Sequence, residues 1–273
     1  MSAEKDYVLG THDEEIERLG LQHRVWRPRA LDAWRRAGFT VGQTILDVGC
    51  GPGYASVDLA EIAGRSGRVV AIDRSRRFLD ALESTARSRA LKNLETHERD
   101  LDDDASLPAS GADAAWARWV FAFVRDPRRL LERTAAALRP GGTFVSHEYF
   151  DYRTWRVTPR SAELEAFIVQ VIESWRATGG EPDIGLDLLV WLPELGFEIR
   201  SVRPIVDIVP PSSFVWQWPK AFIDVGAARL VELGRMSREE ADALARSFAA
   251  SEADPRALLV TPAVLEIIAV KKG

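Results

Sequence analysis

The clearest chemical feature of the sequence is a glycine-rich segment that follows a short apolar run. Ile45–Val48 is apolar apart from Asp47, and Gly49–Gly53 then reads Gly-Cys-Gly-Pro-Gly. Glycines allow the backbone to approach a ligand closely, and the N-terminus of a following helix favours electron-rich groups. A carboxylate beside such a turn repels a pyrophosphate but suits a ligand that carries an ammonium group. The segment therefore predicts a binding turn in which Asp47 faces a cationic group.

The spacing of these glycines argues against a dinucleotide site. That fingerprint needs G-x-G-x-x-G, but here the third glycine, Gly53, falls one position early and Tyr54 occupies the required site. A nicotinamide-dependent oxidoreductase is therefore the weaker hypothesis for this turn.

Two further acids follow later apolar runs. Asp73 ends the run Val69–Asp73, about twenty residues beyond the last glycine, where a carboxylate can accept from both hydroxyls of a ribose. Asp100 follows the third run, where it can accept from an adenine amino group while the N–H of Leu101 donates to the ring. Together with Asp47, these acids outline a nucleoside that carries an amino-acid tail.

With these motifs the sequence resembles the class I, Rossmann-like methyltransferases that use S-adenosylmethionine (SAM) and act on small molecules. The segment from Asp47 to Gly53 is similar to the first motif of that family, Asp73 to its ribose-binding acid and Asp100 to its adenine-side acid. Leu138–Phe144, Leu-Arg-Pro-Gly-Gly-Thr-Phe, is similar to the turn into its fifth strand. The resemblance covers residues 40–150, and it extends more loosely through residues 192–197 and the last predicted strand.

The resemblance implies SAM as the cofactor and S-adenosylhomocysteine (SAH) as the product. It places the backbone of Gly49–Gly51 at the methionine part, Asp47 at the amino group, and Arg118 and Trp119 beside the sulfonium and methyl. Helices that precede the core would fold over the cofactor as a lid, although surface or packing roles remain the alternative for their single residues. The expected cofactor contacts are Tyr7, Gln22, Asp47, Gly49, Cys50, Gly51, Asp73, Arg74, Asp100, Leu101, Arg118 and Trp119.

Two adjacent ionisable residues are candidate general bases. His147 and Glu148 fall at the carboxyl end of the fifth predicted strand, the edge where doubly wound sheets bind ligands. A structural hydrogen bond is the alternative for both. Methyl transfer from a sulfonium is an in-line displacement that depends mainly on alignment, so a base matters only if the acceptor must first lose a proton. No metal is required, and the choice among O-, N- and C-methylation stays open.

An aromatic set in the later half of the chain is the candidate acceptor site. The chain contains nine Trp, and many large rings suggest a roomy apolar pocket or extra packing surface. We expect a small, largely apolar or aromatic acceptor, although the same rings would equally serve to tie a lid to the sheet. The set comprises Trp155, Phe214, Trp216, Trp218 and Phe222.

The periodicity of the chain predicts the elements that position these residues. Short apolar runs alternate with amphipathic stretches from residue 41 onward, which is typical of βαβ units around a parallel sheet. We expect an α/β fold with a doubly wound, mostly parallel seven-stranded sheet. The predicted divisions are N-terminal lid helices over 1–40, broken at Gly20, a core over 41–209, a helical lid insertion over 210–257 and a final core strand over 258–273.

The predicted elements of the core follow in order along the chain. Strands are expected over 43–48, 68–73, 94–97, 112–120, 142–147, 197–206 and 261–270. Helices are expected over 54–63, 77–90, 127–138, 162–177, 184–195 and 237–250.

Composition limits the remaining possibilities. The 273 residues are 46% hydrophobic and 28% charged with a net charge of -5, which predicts a globular protein without a nucleic-acid partner. No long apolar run or leader stands out, and the single cysteine, Cys50, fits a reducing compartment, so the cytoplasm is expected. Either a monomer or a homodimer is compatible with the sequence. A catalytically silent SAM-binding or assembly protein is the main alternative to an enzyme.

Overall fold

The computed structural model describes residues 13–273, and it contains one large sheet flanked by helices. The helices are α1 Asp13–Arg36, α2 Tyr54–Ala63, α3 Arg76–Ser88, α4 Pro127–Ala137, α5 Ala162–Ala177, α6 Gly185–Glu194, α7 Gln217–Glu232 and α8 Arg238–Ala253. The strands are β1 Thr44–Val48, β2 Arg68–Asp73, β3 Leu94–Glu98, β4 Ala112–Arg118, β5 Leu138–Asp151, β6 Arg156–Thr158, β7 Phe197–Ile205, β8 Ile208–Val209, β9 Leu258–Val260 and β10 Ala263–Lys271.

The seven-stranded sheet has the order β3-β2-β1-β4-β5-β10-β7. Strands β1 to β5 pair in parallel, whereas β10 runs antiparallel to both β5 and β7. The inner strands are buried on both faces because helices cover the two sides, and their near-continuous apolar sequence reflects this. The predicted fold class is confirmed. The strand order reverses between β1 and β4, which is where open sheets of this kind hold ligands.

The first helix differs from the prediction, because α1 continues through Gly20 and Pro28. The ring of Tyr54 packs against Gly20 so closely that a Cβ there would lie 2.8 Å from the phenol oxygen. The same hydroxyl donates to the carbonyl oxygen of Ile16 at 3.0 Å. Gly20 is thus a packing residue, and the break predicted at Gly20 is wrong because the buried face of α1 is continuous across it.

The fourth strand ends earlier than predicted. Trp119 has a φ of +52°, a left-handed conformation that no strand residue adopts, so the extended segment stops at Arg118. A short 3-10 helix, Phe121–Phe123, begins two residues after Trp119. The chain therefore turns sharply at the edge of the sheet where the predicted site lies.

Helices α5, α7 and α8 pack together beside α1 over a second apolar core. Helices α7 and α8 lie between β7 and β10 in the chain, within the segment predicted to be helical. A small antiparallel sheet of β6, β9 and β8 joins this part to the larger sheet, and its short strands were not predicted. The division of the chain into core and lids remains a prediction. Across residues 13–273, no helix is both long enough and apolar enough to span a bilayer.

Candidate functional site

Loops after β1, β2, β3 and β4 surround one cleft at the carboxyl edge of the sheet, and α1 borders it. Its empty space measures about 1010 Å³ including solvent at the mouth, which is large enough for a nucleoside with a side chain. Every predicted cofactor position within residues 13–273 lines it, and Tyr7 lies outside the described residues. These positions are Gln22, Asp47, Gly49, Cys50, Gly51, Asp73, Arg74, Asp100, Leu101, Arg118 and Trp119.

The glycine turn leaves its backbone open toward the cleft. Gly49 has a φ of +68°, and a Cβ there would lie 2.5 Å from Cγ2 of Val120, so no larger residue fits without a shift. Gly51 has a φ of +54°, and a Cβ there would meet nothing within 4 Å. The backbone of Gly51 therefore borders empty space, as expected of a turn that a ligand approaches closely.

Asp73 ties this turn to the end of β2. Its Oδ2 accepts from the N–H of Gly51 at 2.8 Å, and its Oδ1 accepts from the N–H of Ser75 at 2.9 Å. A carboxylate has about four acceptor positions, so capacity for a ligand hydroxyl remains beside the N–H groups of Gly51, Ser75 and Arg74. Burial raises the pKa of Asp73, and the backbone N–H groups of Ser75 and Gly51 partly offset that effect.

Asp47 lies deeper in the cleft at the end of β1 and is 2% exposed. Its Oδ2 accepts from the hydroxyl of Ser56 at 2.5 Å. Burial raises the pKa of Asp47 to about 7, while Ser56 and the nearby guanidinium of Arg118 act in the opposite direction. An ammonium group beside Asp47 would stabilise the carboxylate form, so the chemistry of this residue fits the amino group of a ligand.

The loop that follows β3 is held by hydrogen bonds within the loop and by hydrogen bonds to α4. Asp100 Oδ1 accepts from the N–H of Asp102, and Asp102 in turn accepts from the N–H of Arg125 at 2.8 Å. The guanidinium of Arg133 donates to three carbonyl oxygens of the loop, including that of Leu101. Asp102 also lines the cleft, although it was not among the predicted cofactor contacts.

Arg118 joins the cleft to α1 and α2. Its side chain is part-buried at the end of β4, and one of its terminal nitrogens lies 3.2 Å from His23 Nδ1. His23 Nε2 lies 3.0 Å from Asp58 Oδ2, and Arg27 Nε donates to the same oxygen at 2.8 Å. Burial lowers the pKa of Arg118 to about 10, so it remains charged at neutral pH.

Trp119 forms part of the cleft wall and also the front of the aromatic core. Its ring stacks against Tyr149 at a centroid distance of 5.4 Å and against Trp218 at 5.5 Å, and it meets the edge of Trp26 at 5.1 Å. These contacts fix the position of the ring, which is 8% exposed and lines the cleft.

The two candidate bases do not line the cleft, so the structure contradicts their proposed position. His147 is fully buried between the rings of Trp26 and Trp116, and its Nε2 lies 3.2 Å from Glu266 Oε2. Burial lowers the pKa of His147, and the bond to Glu266 acts against that shift. His147 therefore has the structural hydrogen bond that was the alternative interpretation.

Glu148 likewise has a structural partner. Its Oε1 accepts from the N–H groups of Val120 at 2.8 Å and Phe121 at 3.1 Å. The side chain is 0% exposed, and burial raises its pKa to about 8 against the effect of the backbone N–H groups. Glu148 thus caps the turn that carries Trp119, because a carboxylate satisfies N–H groups at the start of a short helix.

The predicted acceptor residues do not reach the cleft either. Trp155, Trp216, Trp218 and Phe222 are all less than 9% exposed and belong to the aromatic core beneath α7. Phe214 is 53% exposed and lies outside it. Their placement corresponds to the alternative role of tying the later helices to the sheet, because large rings pack most favourably when fully buried.

The cleft also has lining residues that were not predicted. Pro52, Tyr54 and Ala55 belong to the glycine turn and the start of α2, so extending that motif would have found them. The others are mostly apolar and carry no sequence pattern that separates cleft from core. They are Leu19, Phe78, Trp116, Val120, Phe123 and Val124.

Comparisons with known proteins also indicate a methyltransferase domain in this chain. Residues 45–142 match a family model described as a methyltransferase domain. The demethylmenaquinone methyltransferase of Lactococcus lactis subsp. lactis is 36% identical over 129 residues, which are 46% of this chain and 49% of that protein. The chain spans about half the length of the curated relatives that it matches.

Solved structures share the fold at low sequence identity. The 4+2 cyclase SpnF has a TM-score of 0.57 at 20% identity, covering 90% of this chain and 81% of that one. Coclaurine N-methyltransferase bound to N-methylheliamine and SAH has a TM-score of 0.56 at 16% identity, covering 89% and 72%. Residues 45–142 of this chain are therefore similar to a methyltransferase domain, and the chain shares its fold with these solved structures.

Proposed function

We propose that this protein transfers the methyl group of SAM to a small, largely apolar or aromatic acceptor. The observation that carries the proposal is the arrangement of Asp73, whose carboxylate is fixed at the cleft by backbone N–H groups of Gly51 and Ser75 and keeps acceptor capacity for a ligand. This geometry suits a hydroxyl of a ribose. Asp47 on the same cleft suits an amino group, and Asp100 lies at the far end.

The cofactor supplies an electrophilic methyl group on a sulfonium. The residues around it would bind and orient the donor: Asp47 the ammonium, Gly49–Gly51 the amino-acid part through the backbone, and Asp73 the ribose. The apolar wall that includes Trp116 and Trp119 would exclude water from the reacting atoms. Catalysis then depends on aligning the acceptor with the donor, because in-line displacement needs the attacking atom, the methyl carbon and the sulfur to be collinear.

The acceptor class is supported by the cleft wall and by the relatives. Leu19, Trp116, Trp119, Val120 and Phe123 give one side of the cleft an apolar surface. The relative from Lactococcus lactis is a demethylmenaquinone methyltransferase, whose name gives a quinone as its acceptor. Since the candidate bases face away from the cleft, we assign no proton abstraction to them. We infer an acceptor whose attacking atom is already electron-rich.

A protein that binds SAM without transferring its methyl group is the second candidate. The burial of Trp155, Trp216, Trp218 and Phe222 favours it, because the rings expected to receive an acceptor pack against other core rings instead. An acceptor that enters beside Trp119 would leave this packing intact, which is why we prefer the enzyme.

Titration calorimetry followed by a turnover assay separates these possibilities. We expect SAM and SAH to bind and NADH not to bind. A panel of hydroquinones, phenols and amines, each assayed for SAH release with SAM present, then tests transfer. Binding of SAH without release in any member supports the silent protein, and absence of SAH binding contradicts both candidates.

We also propose a cytoplasmic location and a small-molecule partner. The lone thiol of Cys50, which is buried in the glycine turn, supports a reducing compartment. Fractionation of the native host detects the location, and light scattering of the purified protein decides between monomer and homodimer.

A further inference from the structure

Three separate elements meet behind the methionine end of the cleft. His23 comes from α1, Asp58 from α2 and Arg118 from the end of β4. The side chains of His23 and Asp58 are buried, each with a relative exposure of 6%. They form one row, because the guanidinium of Arg118 lies 3.2 Å from His23 Nδ1 and His23 Nε2 lies 3.0 Å from Asp58 Oδ2.

The direction of each hydrogen bond in this row is fixed by chemistry. A guanidinium only donates, so Nδ1 of His23 must accept and must carry no proton. Nε2 then carries the proton and donates to Asp58, which also accepts from Arg27 Nε at 2.8 Å. Burial lowers the pKa of His23, which favours this neutral form. Asp58 therefore orients the ring of His23, and this ring in turn orients the guanidinium of Arg118.

The charge of Arg118 has no carboxylate partner within ion-pair distance among residues 13–273. Its other terminal nitrogen, Nη1, is buried and has no hydrogen-bond partner in the same part of the chain. The rings of Trp116 and Trp119 lie 5.9 and 5.3 Å from the guanidinium carbon and supply weaker attraction. Burying a cation without a counter-charge is costly unless a ligand supplies one.

Asp47 and Arg118 are neighbours on the cleft wall and carry opposite charges. Each influences the pKa of the other, and both line the cleft beside Gly49. A free amino acid presents the complementary pair, an ammonium and a carboxylate on one carbon. Arginine is the side chain whose planar fork best matches a carboxylate.

We propose that Arg118 binds the carboxylate of the donor's amino-acid part and that His23 and Asp58 are positioning residues for its guanidinium. This inference rests on the proposed function, because the same cleft must hold SAM. It assigns His23 on α1 to the recognition of the ligand, although His23 itself does not line the cleft.

The test compares two ligands that differ in the amino-acid part. SAH carries the carboxylate, whereas 5′-methylthioadenosine has the nucleoside and thioether without it. We expect Arg118→Gln to weaken SAH binding about 10- to 100-fold, the usual effect of losing a hydrogen bond to a charged group. Binding of 5′-methylthioadenosine should stay unchanged. Arg24→Gln, at an exposed position on α1, is the matched control and should bind both ligands like the wild type.

Two substitutions at His23 then test the positioning role. His23→Gln keeps an acceptor and a donor on a side chain of similar reach, whereas His23→Leu keeps neither. We expect His23→Leu to lower SAH affinity selectively and His23→Gln to restore part of it. Circular dichroism and thermal melting check that each variant folds.

The outcomes separate the failure of this inference from the failure of the proposed function. If wild-type protein binds neither SAH nor SAM, the proposed function is wrong. If it binds SAH but Arg118→Gln weakens both ligands equally, or neither, Arg118 does not contact the carboxylate. Equal SAH affinity in His23→Leu and wild type would show that the row has no positioning role.

Discussion

Replacing Asp73 by alanine should weaken donor binding through two separable effects. The first is loss of the acceptor for the ribose hydroxyls. The carboxylate keeps acceptor capacity beside the N–H groups that it already binds, and an unpaired hydroxyl donor in the complex would cost about 1 to 3 kcal/mol. That cost corresponds to a rise in Kd of roughly 5- to 150-fold. The second effect is release of the glycine turn, because Gly51 N–H and Ser75 N–H also lose their acceptor.

A second ligand isolates the direct effect of Asp73. Calorimetry is performed with SAH and with its 2′-deoxy analogue on wild type and on Asp73→Ala. If the carboxylate accepts from the ribose, wild type prefers SAH by about 1 kcal/mol or more, and the variant loses that preference. The general loosening of the turn weakens both ligands alike and cancels from the comparison.

The control and the refuting result are both defined by the structure. Asp80 lies on the exposed side of α3 in an ion pair with Arg76 at 2.8 Å, so Asp80→Ala should bind both ligands like the wild type. If Asp73→Ala retains the full preference for SAH over the deoxy analogue, Asp73 does not recognise the ribose and our orientation of the donor is wrong.

Three further changes test other contacts. Because the pKa of Glu148 is raised from 4.5 to about 8, its stabilising contribution is complete below pH 4.5 and disappears as the pH rises through 8. The unfolding free energy of wild type should therefore fall relative to Glu148→Gln over that range, and parallel urea-denaturation curves at all pH values would contradict this. Trp216→Ala should lower the unfolding free energy by about 3 to 5 kcal/mol, because the ring is fully buried; a loss of acceptor turnover at unchanged stability would instead support a pocket role. Gly49→Ala should melt at a lower temperature than Gly51→Ala, since both have positive φ but only the first places a methyl against Val120; equal melting temperatures would show that the clash relaxes without cost.

The cofactor side of the site could be predicted because its determinants are local in the sequence. A glycine turn and an acid at the end of each strand are carried by a few consecutive residues, and parallel strands bring their carboxyl ends to one edge. Asp47, Asp73 and Asp100 were therefore found with their neighbours, and the sheet followed from the alternation of apolar runs.

The catalytic predictions failed because adjacent strand residues point to opposite faces. Position at the end of β5 identified His147 and Glu148, but it did not show what covers each face of that strand. One side chain meets Trp26 and Trp116, and the other meets the turn after β4. Both partners are distant in sequence and carry no pattern that single-chain analysis recognises.

The role of the aromatic set stayed open in the sequence, and the contacts of His23 with Arg118 and Asp58 were not predicted, for the same physical reason. Burial of a ring depends on how the helices pack together, and the sequence does not state that packing. The sequence therefore does not show that Trp216 lies in the core whereas Trp119 lines the cleft. His23 and Arg118 are 95 residues apart, and their contact exists only once α1 has packed against the sheet.

The antiparallel strand β10, which lies between β5 and β7, has a consequence for how the chain folds. His147 and Glu266 are 119 residues apart, yet they are partners on neighbouring strands, and Glu266 also binds Arg36 of the first helix. During translation, the parallel strands β1 to β5 are synthesised long before β10. One edge of β5 therefore stays unpaired until β10 has been synthesised. We expect the last step of folding to be slow, because closing so large a loop is entropically costly. Until it occurs, the unpaired backbone groups of β5 are exposed, and an exposed strand edge of this kind is prone to pair with other chains.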